Sequence, residues 1–286
     1  MHTLPQFFLN FENVGSFIFV FPLQGLMIID VEDSSFSNAD QEAIRIQSRG
    51  NYVVNVRNCN FTNFKSFPLH LDLNIDHIFV TDSRFDNCQY LSLTSIYSTG
   101  TPLMSINNCY FGANSGVYTD FPLTMVANSV FDSNRGITLM NMRPNNSAPM
   151  SLLNVSFNNF ELNAIYAESS SKATLQIINI TQSTVTRRSS GSSFYLQSIA
   201  LSLFNSTVRG GFICEGASLI NLYANTFSPD KESCQNCNFV GAGVCSFPNV
   251  GLIVSMVLLS VTLVVVGGAF AYWFFKRRNA EYTSLQ

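Results

Sequence analysis

Charge is what this sequence has least of. Charged side chains make up 12% of its 286 residues, and the formal net charge is −3. Phosphate binding needs clustered Lys and Arg. The chain offers only Arg187-Arg188 and Lys276-Arg277-Arg278, so nucleic acid is excluded as a partner. Acidic residues thin out after Asp132, with only Glu161, Glu168 and Glu215 before Ser228. That leaves little material for a carboxylate pair of the kind that cleaves sugars. There is no G-x-S-x-G, no phosphate-binding Walker loop and no H-E-x-x-H. No catalytic residue, cofactor or metal is therefore implied by a motif. A secretory start is missing as well. Met1 to Asn10 holds no Lys or Arg, and Phe17 to Leu26 is broken by Pro22 and Gln24. The expectation is a non-standard signal, or a chain that begins inside a longer protein.

One long stretch without charge stands out. Gly251 to Phe275 is twenty-five residues long with no charged side chain. A bilayer core about 30 Å thick needs roughly 20 apolar helical residues. Its fourteen Leu, Ile, Val and Phe side chains favour insertion by roughly −4 to −8 kcal/mol. Tyr272 and Trp273 fall where an aromatic belt would lie, and Lys276 to Arg278 follow at once. Basic residues directly after a span mark its cytoplasmic side. The expectation is a single-pass type I membrane protein at the plasma membrane or in endolysosomes, with residues 1–250 outside the cytosol. Five N-x-[ST] sequons precede the span, at Asn60, Asn145, Asn154, Asn179 and Asn205. In that compartment they are glycosylation candidates. Gly251-x-x-x-Ser255 and Gly267-x-x-x-Ala271 are small-residue pairs that permit helix pairing.

Tryptophan occurs once but phenylalanine 26 times. That imbalance points to a position that repeats. Asp33-Ser-Ser-Phe36, Asn58-Cys-Asn-Phe61, Asp82-Ser-Arg-Phe85, Asn108-Cys-Tyr-Phe111, Asn128-Ser-Val-Phe131 and Asn154-Val-Ser-Phe157 align. Gln182 to Val185, Asn205 to Val208 and Ala224 to Phe227 are weaker copies. Another Asn follows two or three residues on, at Asn63, Asn87, Asn114, Asn134 and Asn159. The Phe positions lie 25, 24, 26, 20, 26, 28, 23 and 19 residues apart. Nine copies with a period near 24 predict a solenoid. Each period holds three short runs of period two, which read as strands. The predicted fold is all-β: a right-handed parallel β-helix of about nine rungs, then one transmembrane α-helix. At about 4.8 Å per rung it would be roughly 40–45 Å long. Inside the coil the Phe should stack in the core, and the Asn or Asp should hold a left-handed turn.

The predicted domains are an amino-terminal segment at 1–24, either truncated or a first irregular rung, the β-helix at 25–230, a Cys-rich cap or stalk at 231–250, the span at 251–275 and a cytoplasmic tail at 276–286. The repeats resemble those of right-handed β-helix proteins of the pectin-lyase-like group. The Asn108 to Asn114 form also resembles the FxxN repeats of chlamydial polymorphic outer-membrane proteins. The first resemblance implies the coil and, in some members, polysaccharide cleavage. This chain has no Asp-Asp pair, no Gly-His-Gly and no Arg-x-Lys of the polygalacturonase type, so the activity does not carry over.

Cys59, Cys109 and Cys88 fall at repeat positions and read as small buried groups. Cys214, Cys234, Cys237 and Cys245 form an even set outside the cytosol, which predicts two disulfides with three connectivities open. A zinc site built on Cys234-x-x-Cys237 is the competing reading. His70, Asp72, Asn74 and Asp76 alternate with Leu71, Leu73 and Ile75, which puts the polar four on one strand face. That face is either plain solvated surface or an acid–base or Ca²⁺ site. In the tail, Tyr282-Thr-Ser-Leu285 matches the Y-x-x-Φ signal read by clathrin adaptors. Three functions follow. The first is adhesion or recognition of carbohydrate or of a cell-surface protein by the outer faces. The second is a membrane-tethered carbohydrate-active enzyme that uses the His70 strand. The third is an endolysosomal structural glycoprotein sorted by Tyr282.

Overall fold

The computed structural model describes residues 2–3, 10–12, 18–20, 26–94, 103–120, 125–132, 135–142, 149–160, 163–170, 175–187, 192–228, 234–240 and 267–268. Two compact units divide the chain, Met1–Gly243 and Val244–Gln286. The first is a parallel β-solenoid. Every strand pair in it is parallel, and from Arg84–Asp86 onward pairing skips to the third strand on, so each coil contributes three strands. The repeat Phe sits in one ladder, which runs from Asn10–Glu12 through Ser35–Ala39, Asn60–Phe64 and Arg84–Asp86 to Thr226–Ser228. The two remaining ladders count as one 19-stranded sheet because Ile44–Arg57 and Leu69–Thr81 run unbroken through both.

The motif ladder holds ten strands, not the nine copies counted from sequence. The additional strand is Asn10–Glu12, whose Phe11 pairs with Phe36. Its neighbours Phe8 and Leu9 lack the polar turn residues of the motif, which hid it. At the other end the coil runs on past residue 230. Cys234 and Gln235 pair with Phe212 and Ile213, and Asn238 to Val240 pair with Leu219 to Asn221. Pairing thus reaches into the segment expected as a cap.

Three columns explain why these residues form this coil. The first is the phenylalanine stack. Phe36, Phe61, Phe85, Phe111, Phe131 and Phe157 are no more than 1% exposed. Their ring centroids follow at 4.9, 4.9, 5.0, 4.5 and 4.9 Å, with planes within 14° of parallel. Val185 and Val208 continue the column in register. The second column is the turn three residues before each Phe. Asp33, Asn58, Asp82, Asn108, Asn128, Asn154 and Asn205 all have φ between 47° and 53°. The amides bridge coils: Asn58 and Asn108 donate to Asp33 and Asp82 at 2.6 Å, and Asn154 to Asn128 at 3.0 Å. A second amide ladder follows the Phe. Asn63 donates to Asn38, Asn87 to Asn63 and Asn114 to Asn87 at 3.0, 2.9 and 3.3 Å.

The third column is the Ser or Cys two before Phe. It is a hydrogen-bonding position rather than merely a small one. The Ser83 hydroxyl donates to Thr81 O at 2.8 Å and accepts the Cys59 amide of the previous coil at 3.1 Å. Ser129 and Ser183 repeat both bonds, accepting from Cys109 and Val155. The thiols of Cys59 and Cys109 point at backbone carbonyls 3.3–3.5 Å away. Where coils must approach closely, glycine is required. A Cβ on Gly136 would stand 1.9 Å from Ala164 O, the acceptor for the Ile137 amide.

The predicted span, 251–275, lies outside the described residues except Gly267 and Gly268, which are helical. Among the described residues no helix is long and apolar enough to cross a membrane.

Candidate functional site

The residues singled out from the sequence scatter over the coil. His70 is half-buried on Leu69–Thr81, and its Nδ1 lies 3.3 Å from Glu42 Oε1. Arg45 stands 3.9 Å from the same oxygen. Burial would raise the Glu42 carboxyl, but its own backbone amide, the His70 ring and Arg45 hold it below the usual carboxylate range. His70 therefore has a structural partner that the sequence reading did not name. The inward–outward alternation does not keep one phase along the whole Leu69–Thr81 strand. Leu69 and Leu71 point inward, but so do Ile78 and Val80, so the alternation changes phase between them. The register steps where Ile75 pairs with Tyr52 but His77 with Val53. This is the corner at which one strand passes between two faces. The side chains of Asp72, Asn74 and Asp76 lie outside the described residues, and no group of three metal-ligating side chains is found among those described.

Of the four carboxyl-terminal cysteines, Cys214 and Cys237 form a disulfide. It ties Gly211–Glu215 to the turn after Cys234–Gln235, one coil away. The zinc reading of Cys234-x-x-Cys237 is thereby corrected, because a disulfide sulfur carries no thiolate for a metal. The Cys234 side chain and all of Cys245 lie outside the described residues. Cys59, Cys88 and Cys109 are buried free thiols. Burial pushes them up to about 11, 11 and 12 respectively. Among the sequons, Asn60, Asn154 and Asn205 are exposed and Asn179 is half-buried on an outer face. Asn145, Tyr282 and Leu285 lie outside the described residues.

The most structured exposed chemistry lies on a face that the sequence reading passed over. In the ladder after the motif, Tyr118, Thr138, Tyr166, Tyr195 and Ile213 follow one another in register and point outward. The rings of Tyr166 and Tyr195 stack at 4.5 Å with planes 3° apart. The outward position two residues on carries Glu168, Gln197 and Glu215, again in register. Tyr166 donates to Glu168 Oε2 at 3.3 Å. Burial first, then Glu168, raises the Tyr166 hydroxyl, and burial and Glu215 raise Tyr195 further. Both hydroxyls thus stay protonated donors beside carboxylate acceptors. Towards the amino end, Tyr90 packs 6.2 Å from Tyr118 and lies under the Arg135 guanidinium at 4.7 Å. The result is a stripe of aromatic rings, hydroxyls, amide and carboxylates on consecutive coils. A sequence signal for it existed. Tyr118, Tyr166 and Tyr195 follow their motif positions by seven, nine and ten residues. The varying turn length blurred that column while the motif column stayed sharp.

Fold and columns together define the class: a parallel β-solenoid built on a stacked aromatic core and amide ladders. No protein-family model, curated protein or solved structure matches the chain.

Proposed function

We propose that this chain is an extracytoplasmic recognition rod, anchored by the helix expected at 251–275 and directed by the tail at 276–286. Its right-handed coil displays the Tyr166–Tyr195 stripe as the binding surface, and an extended carbohydrate is the ligand. One observation carries this reading: two parallel tyrosines and the Glu168, Gln197, Glu215 row share one exposed face on successive coils. Aromatic rings offer apolar area at low entropic cost, and flanking hydroxyls and carboxylates can hydrogen-bond sugar hydroxyls. Donors and acceptors that repeat coil by coil suit a ligand that also repeats.

The test is a glycan-array screen of the full chain in lipid discs, paired with Tyr166→Ala/Tyr195→Ala. Binding to an extended glycan that the double variant loses at least tenfold, with unchanged thermal stability, supports the reading. No binding across the array, or binding indifferent to both tyrosines, removes it.

A further inference from the structure

The ladder that precedes the motif turns a very different surface outward. Leu153 (41% exposed), Phe204 (52%) and Tyr223 (54%) lie in one register column, with Thr181 between the first two. Ile177, 43% exposed, heads the outward row of the Gln176–Thr181 strand. Isolated exposed apolar side chains are ordinary, but Phe204 and Tyr223 are direct register neighbours with Leu153 and Ile177 on the same face, and grouped exposed apolar side chains call for something to cover them. The same face carries sequons. Asn179 sits in its centre, on the strand between Ile177 and Thr181, with serines on both neighbouring coils, Ser151 and Ser202. Those small neighbours leave room over the amide. Asn205 follows Phe204 directly at the exposed turn, and Asn154 follows Leu153 in the same way.

We infer that N-linked glycans on Asn179 and Asn205 cover this apolar face, leaving the tyrosine stripe as the bare side of the rod. The inference rests on the extracytoplasmic reading. Each Asn Nδ2 would displace the pyrophosphate of a lipid-linked oligosaccharide. A C1–N bond forms as the C1–O bond to phosphate breaks, Nδ2 loses one proton, and the lipid pyrophosphate leaves. Asn154 ranks last for occupancy, because its Nδ2 already donates to Asn128 in the amide ladder. The carbohydrate then covers Leu153, Ile177, Phe204 and Tyr223, which are exposed among the described residues.

The experiment is site-by-site glycopeptide mapping of the full chain from eukaryotic cells, joined to hydroxyl-radical footprinting before and after endoglycosidase treatment. Asn60, exposed on the motif face, is the internal control. The expected result is occupancy at Asn60, Asn179 and Asn205. Oxidation at Phe204 and Tyr223 should rise several-fold on glycan removal and stay level at Tyr166 and Tyr195. Thr181→Ala/Thr207→Ala deletes both sequons without touching either asparagine, and should reproduce the stripped footprint. Occupied Asn60 with empty Asn179 and Asn205 overturns the shield alone. Occupied sites with no change at Phe204 and Tyr223 do the same. An empty Asn60 alongside the other two overturns the extracytoplasmic reading and the shield with it.

Discussion

At the scale of single residues, the coil is held by positions whose chemistry is not interchangeable. Phe85 is stacked on both sides and about 1% exposed. Phe85→Ala should cost about 3–5 kcal/mol in chemical denaturation, the range for emptying a large buried aromatic site. Ser83 is smaller but joins two coils, so Ser83→Ala leaves the buried Cys59 amide without its acceptor. A cost of about 1–3 kcal/mol is expected, the penalty for a buried polar group left unpaired. The left-handed turn residues act through backbone strain. Asn108 has φ 53°, and Asn108→Ala should cost about 1–2 kcal/mol. Ala224 already sits at φ 51° without an amide, so Ala224→Asn should stabilise, measured as a rise in melting temperature. Glu42 gives the pH dependence. Its folded value lies below the unfolded 4.5, so its contribution is present above pH 4.5 and is lost as pH falls through the folded value. Glu42→Gln should flatten the loss of stability as the pH falls below 4.5.

At the scale of strands and ladders, the sequence made some things legible and hid others. The motif column was readable because the left-handed amide, the hydrogen-bonding Ser or Cys and the core Phe fall within four residues. Turn length cannot vary inside so short a unit. The stripe at Tyr118, Tyr166 and Tyr195 was not readable, since loops of different length separate each tyrosine from its motif. The Asn10–Glu12 strand keeps the Phe but drops the turn chemistry, so the sequence offers 1–24 as a first irregular rung without a countable motif. The strand that carries His70 shows a third limit on what sequence reveals. Alternation along sequence does not reveal that a strand turns a corner, and only the register step between Ile75 and His77 does. The same ladder logic predicts how the thiols behave. Cys59, Cys88 and Cys109 are buried with raised thiol values, so an alkylating reagent at pH 8 should leave them unmodified in the folded protein and label all three after denaturation.

At the scale of the whole solenoid, each coil contacts only its neighbours, so stability should be graded along the chain. Amide exchange should be slowest across the unbroken Phe36 to Phe157 stack. It should be fastest beyond Leu219, where Phe227 ends the motif column and the Cys214–Cys237 bond takes over. Reducing that disulfide, which closes a loop with a separation of 23 residues, should cost about 3–4 kcal/mol and loosen that end first. The faces divide the remaining work: a core-supporting motif face, a tyrosine–carboxylate face and an apolar face that carries sequons. A recognition role depends on those faces standing outside the cytosol. The most direct measurement is protease protection with a glycosidase shift, on the full chain in sealed microsomes with a carboxyl-terminal tag. A shifted, protected rod with the tag clipped is the predicted result. A rod that is digested from the cytosolic side and shows no glycosidase shift would contradict the account.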